Sequence, residues 1–178
     1  MSFAQNESEH LTFKGVPIDG TLREYVEKMK NVGFEYVGEE DKTALLQGEF
    51  AGFKECKIVV STLQSRDLVN TILVTFPEKD KWFSVEKDYK ELKSMLIQKY
   101  GIPSKCVEKF KGYTPSTENG RKMKLMNDEY TWFSTFTTSK GDIQLSIAYQ
   151  LYLGCFVVLK YSDKINTESI RSHAINDL

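Results

Sequence analysis

The chain has 178 residues, 40% hydrophobic and 12% aromatic, with 24 Lys and Arg set against 25 Asp and Glu. A chain of that length buries roughly 70% of its unfolded surface, and its apolar content excludes global disorder. The balanced charge gives no electrostatic footprint for nucleic acid or an anionic membrane, and no apolar run approaches the ~20 residues of a membrane-spanning helix.

Residues 1–10 read as a flexible N-terminus. Ser2-Phe3-Ala4-Gln5 carries small residues where a signal peptidase would read them for a cut after Ala4. Two readings stand: the remnant of an export signal whose charged and apolar start was trimmed, or an ordinary frayed end. Asn6-Glu7-Ser8 matches a glycosylation sequon, relevant only on a eukaryotic secretory route.

The segment 11–14 is expected as an edge strand, followed by a turn over 15–20. Thr21-Leu22-Arg23-Glu24 is a capping box. Leu22, Tyr25, Val26, Met29 and Val32 then recur at helical spacing until Gly33 supplies a left-handed stop. A short extended piece over 34–37 precedes strands at 43–51, 54–62 and 68–76, with Ala51-Gly52 as a turn. Glu39-Glu40-Asp41 follows Gly38, and a turn explains this acidic cluster without a metal.

A second helix repeats this grammar after the polar turn Pro77-Glu78-Lys79-Asp80. Ser84 is its expected cap, Val85, Tyr89, Leu92, Leu96 and Tyr100 its stripe, and Gly101 and Pro103 its stop. A short strand over 105–110 follows, and then 111–124, whose Gly, Pro, Ser, Thr and Asn content predicts a mobile loop. Arg121-Lys122-Met123-Lys124 is expected to be a solvated part of it. Strands at 129–137, 142–150 and 155–161 are separated by Ser139-Lys140-Gly141-Asp142 and Leu153-Gly154. After Ser162-Asp163-Lys164, a third helix is expected near Asn166 or Thr167, with Ile165 and Ile170 as a hydrophobic staple.

These elements predict an α+β fold: one domain over 11–178, made of two tandem helix-plus-antiparallel-meander repeats (about 11–80 and 81–165) and a C-terminal helix over 166–178. Helices would cover one face of an antiparallel sheet, because strands do not alternate singly with helices as parallel winding requires. Ile143, Leu145, Ile147 and Tyr149 share an inward face; so do Cys155, Val157, Leu159 and Tyr161, and so do Tyr130, Trp132 and Phe136. The outward face is mostly Thr, Ser and Gln, dotted with Phe133, Phe156 and Val158 beside Lys160, and these four are the candidate binding residues. The competing view is that scattered apolar residues on an exposed sheet carry no meaning.

Catalytic chemistry leaves no trace. Cys56, Cys106 and Cys155 are far apart with no CxxC, so zinc and redox motifs are absent. Cys56 and Cys155 sit in apolar runs and read as small hydrophobes; an exported chain would allow one disulfide, with connectivity open. His10 and His173 lie near the ends and read as solvated or capping residues. Hydrolase elbow, zincin, Walker, EF-hand and dinucleotide motifs are all missing. No catalytic residue, metal or cofactor is nominated.

The opening run from Leu11 through Gly15-Val16-Pro17-Ile18-Asp19-Gly20-Thr21-Leu22, with Val32-Gly33-Phe34 closing the helix, resembles a family of small uncharacterised exported proteins of gut anaerobic bacteria. The tail Cys155-Phe156-Val157-Val158-Leu159-Lys160-Tyr161-Ser162-Asp163-Lys164 is similar to their closing strand. The architecture resembles the β-lactamase-inhibitor-protein fold, although fold does not imply function. The resemblance implies a periplasmic or secreted protein, with the cytoplasm as alternative. The expected function is a non-enzymatic module of the cell envelope, binding an unidentified protein or small ligand but not nucleic acid. The alternative is a small hydrolase with a carboxylate-based site, and an envelope-maintenance protein without a small ligand is a third reading.

Overall fold

The computed structural model describes residues 8–62 and 66–176, apart from the side chains of 170, 173, 174 and 176. The possible signal cut after Ala4, Asn6 of the sequon and the side chains of His173 and Ile170 lie outside the described residues.

The chain opens with a ribbon, β1 (Thr12–Phe13) and β2 (Val16–Pro17), turned by Lys14 and Gly15. The expected edge strand over 11–14 is thus a separate two-stranded sheet. Its alternate side chains Leu11, Phe13, Val16 and Ile18 are all buried, and Phe13 stacks on Phe50 at 4.8 Å and meets Tyr161 edge-on at 5.3 Å. Burying that apolar set outweighs extending a sheet edge that would leave half of it in water.

Helix α1 (Leu22–Asn31) begins on the expected capping box: Thr21 Oγ1 accepts from Glu24 N at 3.3 Å, and Glu24 Oε2 accepts from Thr21 N at 3.0 Å. Four strands follow, β3 (Glu35–Glu40), β4 (Thr43–Phe50), β5 (Phe53–Thr62) and β6 (Val69–Thr75). Asp41-Lys42 and Ala51-Gly52 join the first three by two-residue turns with positive φ at both positions, matching the right-handed strand twist. Helix α2 (Trp82–Tyr100) is succeeded by β7 (Lys105–Phe110), α3 (Glu118–Met126), β8 (Tyr130–Thr138), β9 (Gly141–Gln150), β10 (Gly154–Asp163) and α4 (Lys164–Asn176).

All eight longer strands form one antiparallel sheet in the order β3-β4-β5-β6-β10-β9-β8-β7. The molecule is therefore α+β, and β6 and β10, the last strands of the two meanders, lie side by side at its centre. Inward residues such as Ile58, Ile72, Leu145 and Val157 are buried under Tyr25 and Met29 of α1 and Tyr89 and Leu92 of α2. Helix α4 crosses the ends of β6, β9 and β10.

Two sequence expectations fail around α2, for one reason. The helix begins at Trp82, two residues before the expected cap Ser84, and Lys81 at its N-cap makes no side-chain bond. The Glu118 carboxylate supplies the cap instead, accepting from the backbone N–H groups of Trp82 and Phe83. Glu118 opens α3, so the segment expected as a mobile loop contains a nine-residue helix capped by Thr117. Arg121 and Lys124 are correspondingly not loosely solvated. Arg121 lies over the rings of Phe83 and Phe110 and 3.6 Å from Glu86, and Lys124 pairs with Glu129. Replacing Glu118 by Ala is expected to cost about 1 kcal/mol and to fray the first turn of α2, read as faster amide exchange at Trp82 and Phe83.

Helix α4 also starts earlier than expected, at Lys164, because Asp163 caps it by accepting from Asn166 N at 3.0 Å.

Candidate functional site

The two faces of the sheet differ in kind. On β9 and β10 the inward residues Ile143, Leu145, Ile147, Cys155, Val157, Leu159 and Tyr161 are buried. The outward ones, Ser146, Ala148, Phe156 and Val158, are half-buried, and Lys160 is exposed. Strand pairing connects the four candidate residues. Phe133 and Val158 both pair with Ser146, Phe156 pairs with Ala148, and Lys160 lies between Gln144 and Leu73. Phe133 also sits beside Val107 of the edge strand, with Lys105 Nζ 5.5 Å from its ring centroid.

The outward face is more apolar than the second half of the sequence implied. Leu45, Val59 and Leu73 form a continuous cross-strand row that ends on Lys160. All three are half-buried, shielded partly by one another. From Phe133 on β8 to Leu45 on β4 is five strand spacings, roughly 24 Å. Sequence reasoning missed this row, although a signal was available: Ala44-Leu45-Leu46, Ile58-Val59-Val60 and Ile72-Leu73-Val74 are apolar triplets on three adjacent strands. A strand with one solvated face should alternate, and a triplet places an apolar side chain on both faces.

Charge is graded across this face. Glu35 and Glu40 project from β3 at one edge, whereas Lys105 projects from β7 at the other. Glu35 accepts from Gln47 at 3.0 Å, and Lys57 donates to Glu78 at 3.0 Å. Gln47 and Lys57 are cross-strand partners two residues along β4 and β5 from the Leu45–Val59 pair, so they border the apolar row with polar ends.

A second omission adjoins Phe156. The β9–β10 hairpin turns through Leu151, Tyr152 and Leu153, which are 57%, 97% and 44% exposed. Turns favour small polar residues, and Tyr152 holds a left-handed φ of 71° that a bulky residue adopts reluctantly. Three large apolar side chains at a hairpin tip are what protein interfaces bury.

A polar cleft of about 360 Å³ separates α4 from the ends of β8, β9 and β10, with Asp142, Glu168, Thr167 and Arg171 on its walls. Its buried carboxylate, Asp163, is structurally committed, accepting from Leu11 N at 2.8 Å and from Asn166 N, with His10 Nδ1 3.1 Å away. His10 is thus a half-buried partner of Asp163, neither freely solvated nor a helix cap. Among the described residues no three His, Cys, Asp or Glu gather as a metal site, and Cys56, Cys106 and Cys155 are free thiols. Among the described residues no helix is long and apolar enough to cross a membrane.

Comparison with protein-family models, with curated proteins and with solved structures finds no match for this chain.

Proposed function

We propose that the protein is a non-enzymatic binding module of the cell envelope that holds a protein partner on the outward sheet face. The carrying observation is the apolar row Leu45–Val59–Leu73, half-buried on the outward face, with Leu73 diagonal to Val158 across the β6–β10 pairing. An apolar surface of that reach on a folded chain is best explained by a partner that removes it from water. The exposed tip around Tyr152 extends the surface and supplies an aromatic anchor. Lys105 at the sheet edge and Lys160 on the central strand β10 favour a partner with acidic groups beside its apolar contact. The internal repeat belongs to this reading. The mirrored strand order, with β6 meeting β10, supports two tandem copies that together build one wide face. Placement in the periplasm or outside the cell rests on the resemblance of the two chain ends to exported proteins.

The alternative, a carboxylate-based hydrolase, would be housed in the α4 cleft. The commitment of Asp163 to backbone donors there favours the binding reading.

Phe133→Ser combined with Phe156→Ser is expected to leave the melting transition within a few degrees and to weaken partner capture at least tenfold, about 1.4 kcal/mol or more. The bait is the immobilised full chain in envelope extract, with Met123→Ser on α3 as control. Equal retention of the same partner by wild type, face variant and control would remove the assignment.

A further inference from the structure

The two edges of the eight-stranded sheet are complementary to each other. Strands β3 and β7 terminate it, and among the described residues each pairs on one side alone, β3 with β4 and β7 with β8. Each therefore offers a row of backbone N–H and C=O groups to an incoming strand. Both strands are six residues long, and every residue of β3 except half-buried Gly38 is exposed. Lys105 and Lys109 are exposed on β7, and their partners Thr135 and Thr131 place them on the outward face. Glu35 and Glu40 stand on the same face of β3, opposite Gln47 and Thr43.

Spacing turns this contrast of charge into a match. Lys105 and Lys109 are four residue steps apart, roughly 14 Å. Glu35 and Glu40 differ by five positions, which in a regular strand would put them on opposite faces. The bulge at Val37 absorbs one residue, so they too span four steps, from Gln47 to Thr43 on β4. Successive strands of the sheet alternate in direction, so β3 and β7 run opposite ways. A second copy displaced along the sheet, without being turned over, lays its β3 antiparallel to β7 and keeps the outward faces continuous. Glu40 then meets Lys105, and Glu35 meets Lys109. Val37, 51% exposed, falls beside Val107. On the inner face Tyr36 meets Glu108 and Glu39 meets Cys106, so no like charges are directly opposed. Like edges fit badly for the same reason. Two β7 strands in antiparallel register oppose Lys105 to Lys109, two β3 strands oppose Glu35 to Glu40, and like charges across a ladder repel.

We propose that β7 of one copy accepts β3 of a second copy as an added strand, so that the chain assembles head to tail through its sheet edges. The contact is independent of what the outward face binds. It is heterologous, leaving one free edge at each end, and the sheet's twist winds the array onward instead of closing it at a dimer. Exposed cross-strand ion pairs are individually weak and screened by salt. The assembly is therefore concentration-dependent and dissolves at high ionic strength.

Sedimentation of the full chain into the millimolar range should show a weight-average mass that climbs past the dimer at low salt and returns to the monomer at high salt. Carbodiimide coupling joins a carboxylate directly to an amine in contact with it, and peptide mass spectrometry should then locate Glu40–Lys105 and Glu35–Lys109 links. Within one copy these residues lie seven strand spacings apart, roughly 33 Å, so each link reports a contact between copies. Lys105→Glu with Lys109→Glu, and separately Glu35→Lys with Glu40→Lys, should each weaken assembly about tenfold or more while leaving the melting transition in place. Mixing the two variants matches their edges again and should restore the mass and the links, with amine and carboxylate exchanged. A monomer at every concentration, a mass that stops at the dimer, links confined to other positions, or a variant mixture that stays monomeric overturns the proposal.

Discussion

Replacing Asp163 by Ala is expected to destabilise the protein by about 4 kcal/mol, a large share of a domain's stability. The side chain is fully buried where three parts of the chain meet. Its oxygens accept from Leu11 N at 2.8 Å and from Asn166 N at 3.0 Å, and His10 Nδ1 lies 3.1 Å away. One carboxylate thus anchors the entry to β1, ends β10 and caps α4, where the helix dipole favours a negative charge. Alanine would leave the Leu11 and Asn166 N–H groups without their acceptor, at about 1–3 kcal/mol each. Asp163→Asn keeps one acceptor and should cost roughly half as much, while His10→Ala removes a half-buried partner and should cost about 1 kcal/mol. Denaturant titration, with the midpoint falling at unchanged slope, measures all three. A loss below about 1 kcal/mol for the alanine variant would show that water can replace these bonds.

The parts of this architecture that were legible in the sequence are those specified by local chemistry. The α1 capping box involves only Thr21 and Glu24, and both halves of it form. The faces of β8, β9 and β10 alternate, so the outward placement of Phe133, Phe156, Val158 and Lys160 could be read from neighbouring residues. What was not legible depends on residues distant in sequence. The cap of α2 comes from Glu118, 36 residues after Trp82, so no local pattern around Ser84 could reveal it. Helix α3 was hidden by Pro115, Asn119 and Gly120, although Thr117 followed by Glu118 is itself a local start signal. The binding face was half visible for a related reason. Alternation identifies a face only where its opposite is polar, and the triplets on β4, β5 and β6 have no polar side to mark the boundary.

The second large loss is expected from Gly141→Ala, about 3 kcal/mol from backbone strain and overpacking together. Gly141 begins β9 and pairs with Asp163, so it belongs to the same junction. Its φ of 151° lies where L side chains are rare, and a Cβ there would stand 2.2 Å from the Ser162 carbonyl oxygen and 3.2 Å from Lys164 N. Those neighbours are backbone atoms that cannot rotate away. Lys164 N donates to Lys140 O at 3.0 Å, and Thr138 Oγ1 accepts from Gly141 N at 3.1 Å, so the turn and the start of α4 are tied on both sides. Relief must come from moving β10 away from β9 near Asp163, which loosens the carboxylate's own bonds. The two substitutions should therefore be non-additive. With Asp163 already replaced by Ala, the junction has less to lose, and Gly141→Ala should cost at least 1 kcal/mol less than in the wild type. Strict additivity in a double-mutant cycle would mean that the turn and the buried carboxylate act independently, and that the strain at Gly141 is absorbed within the turn itself.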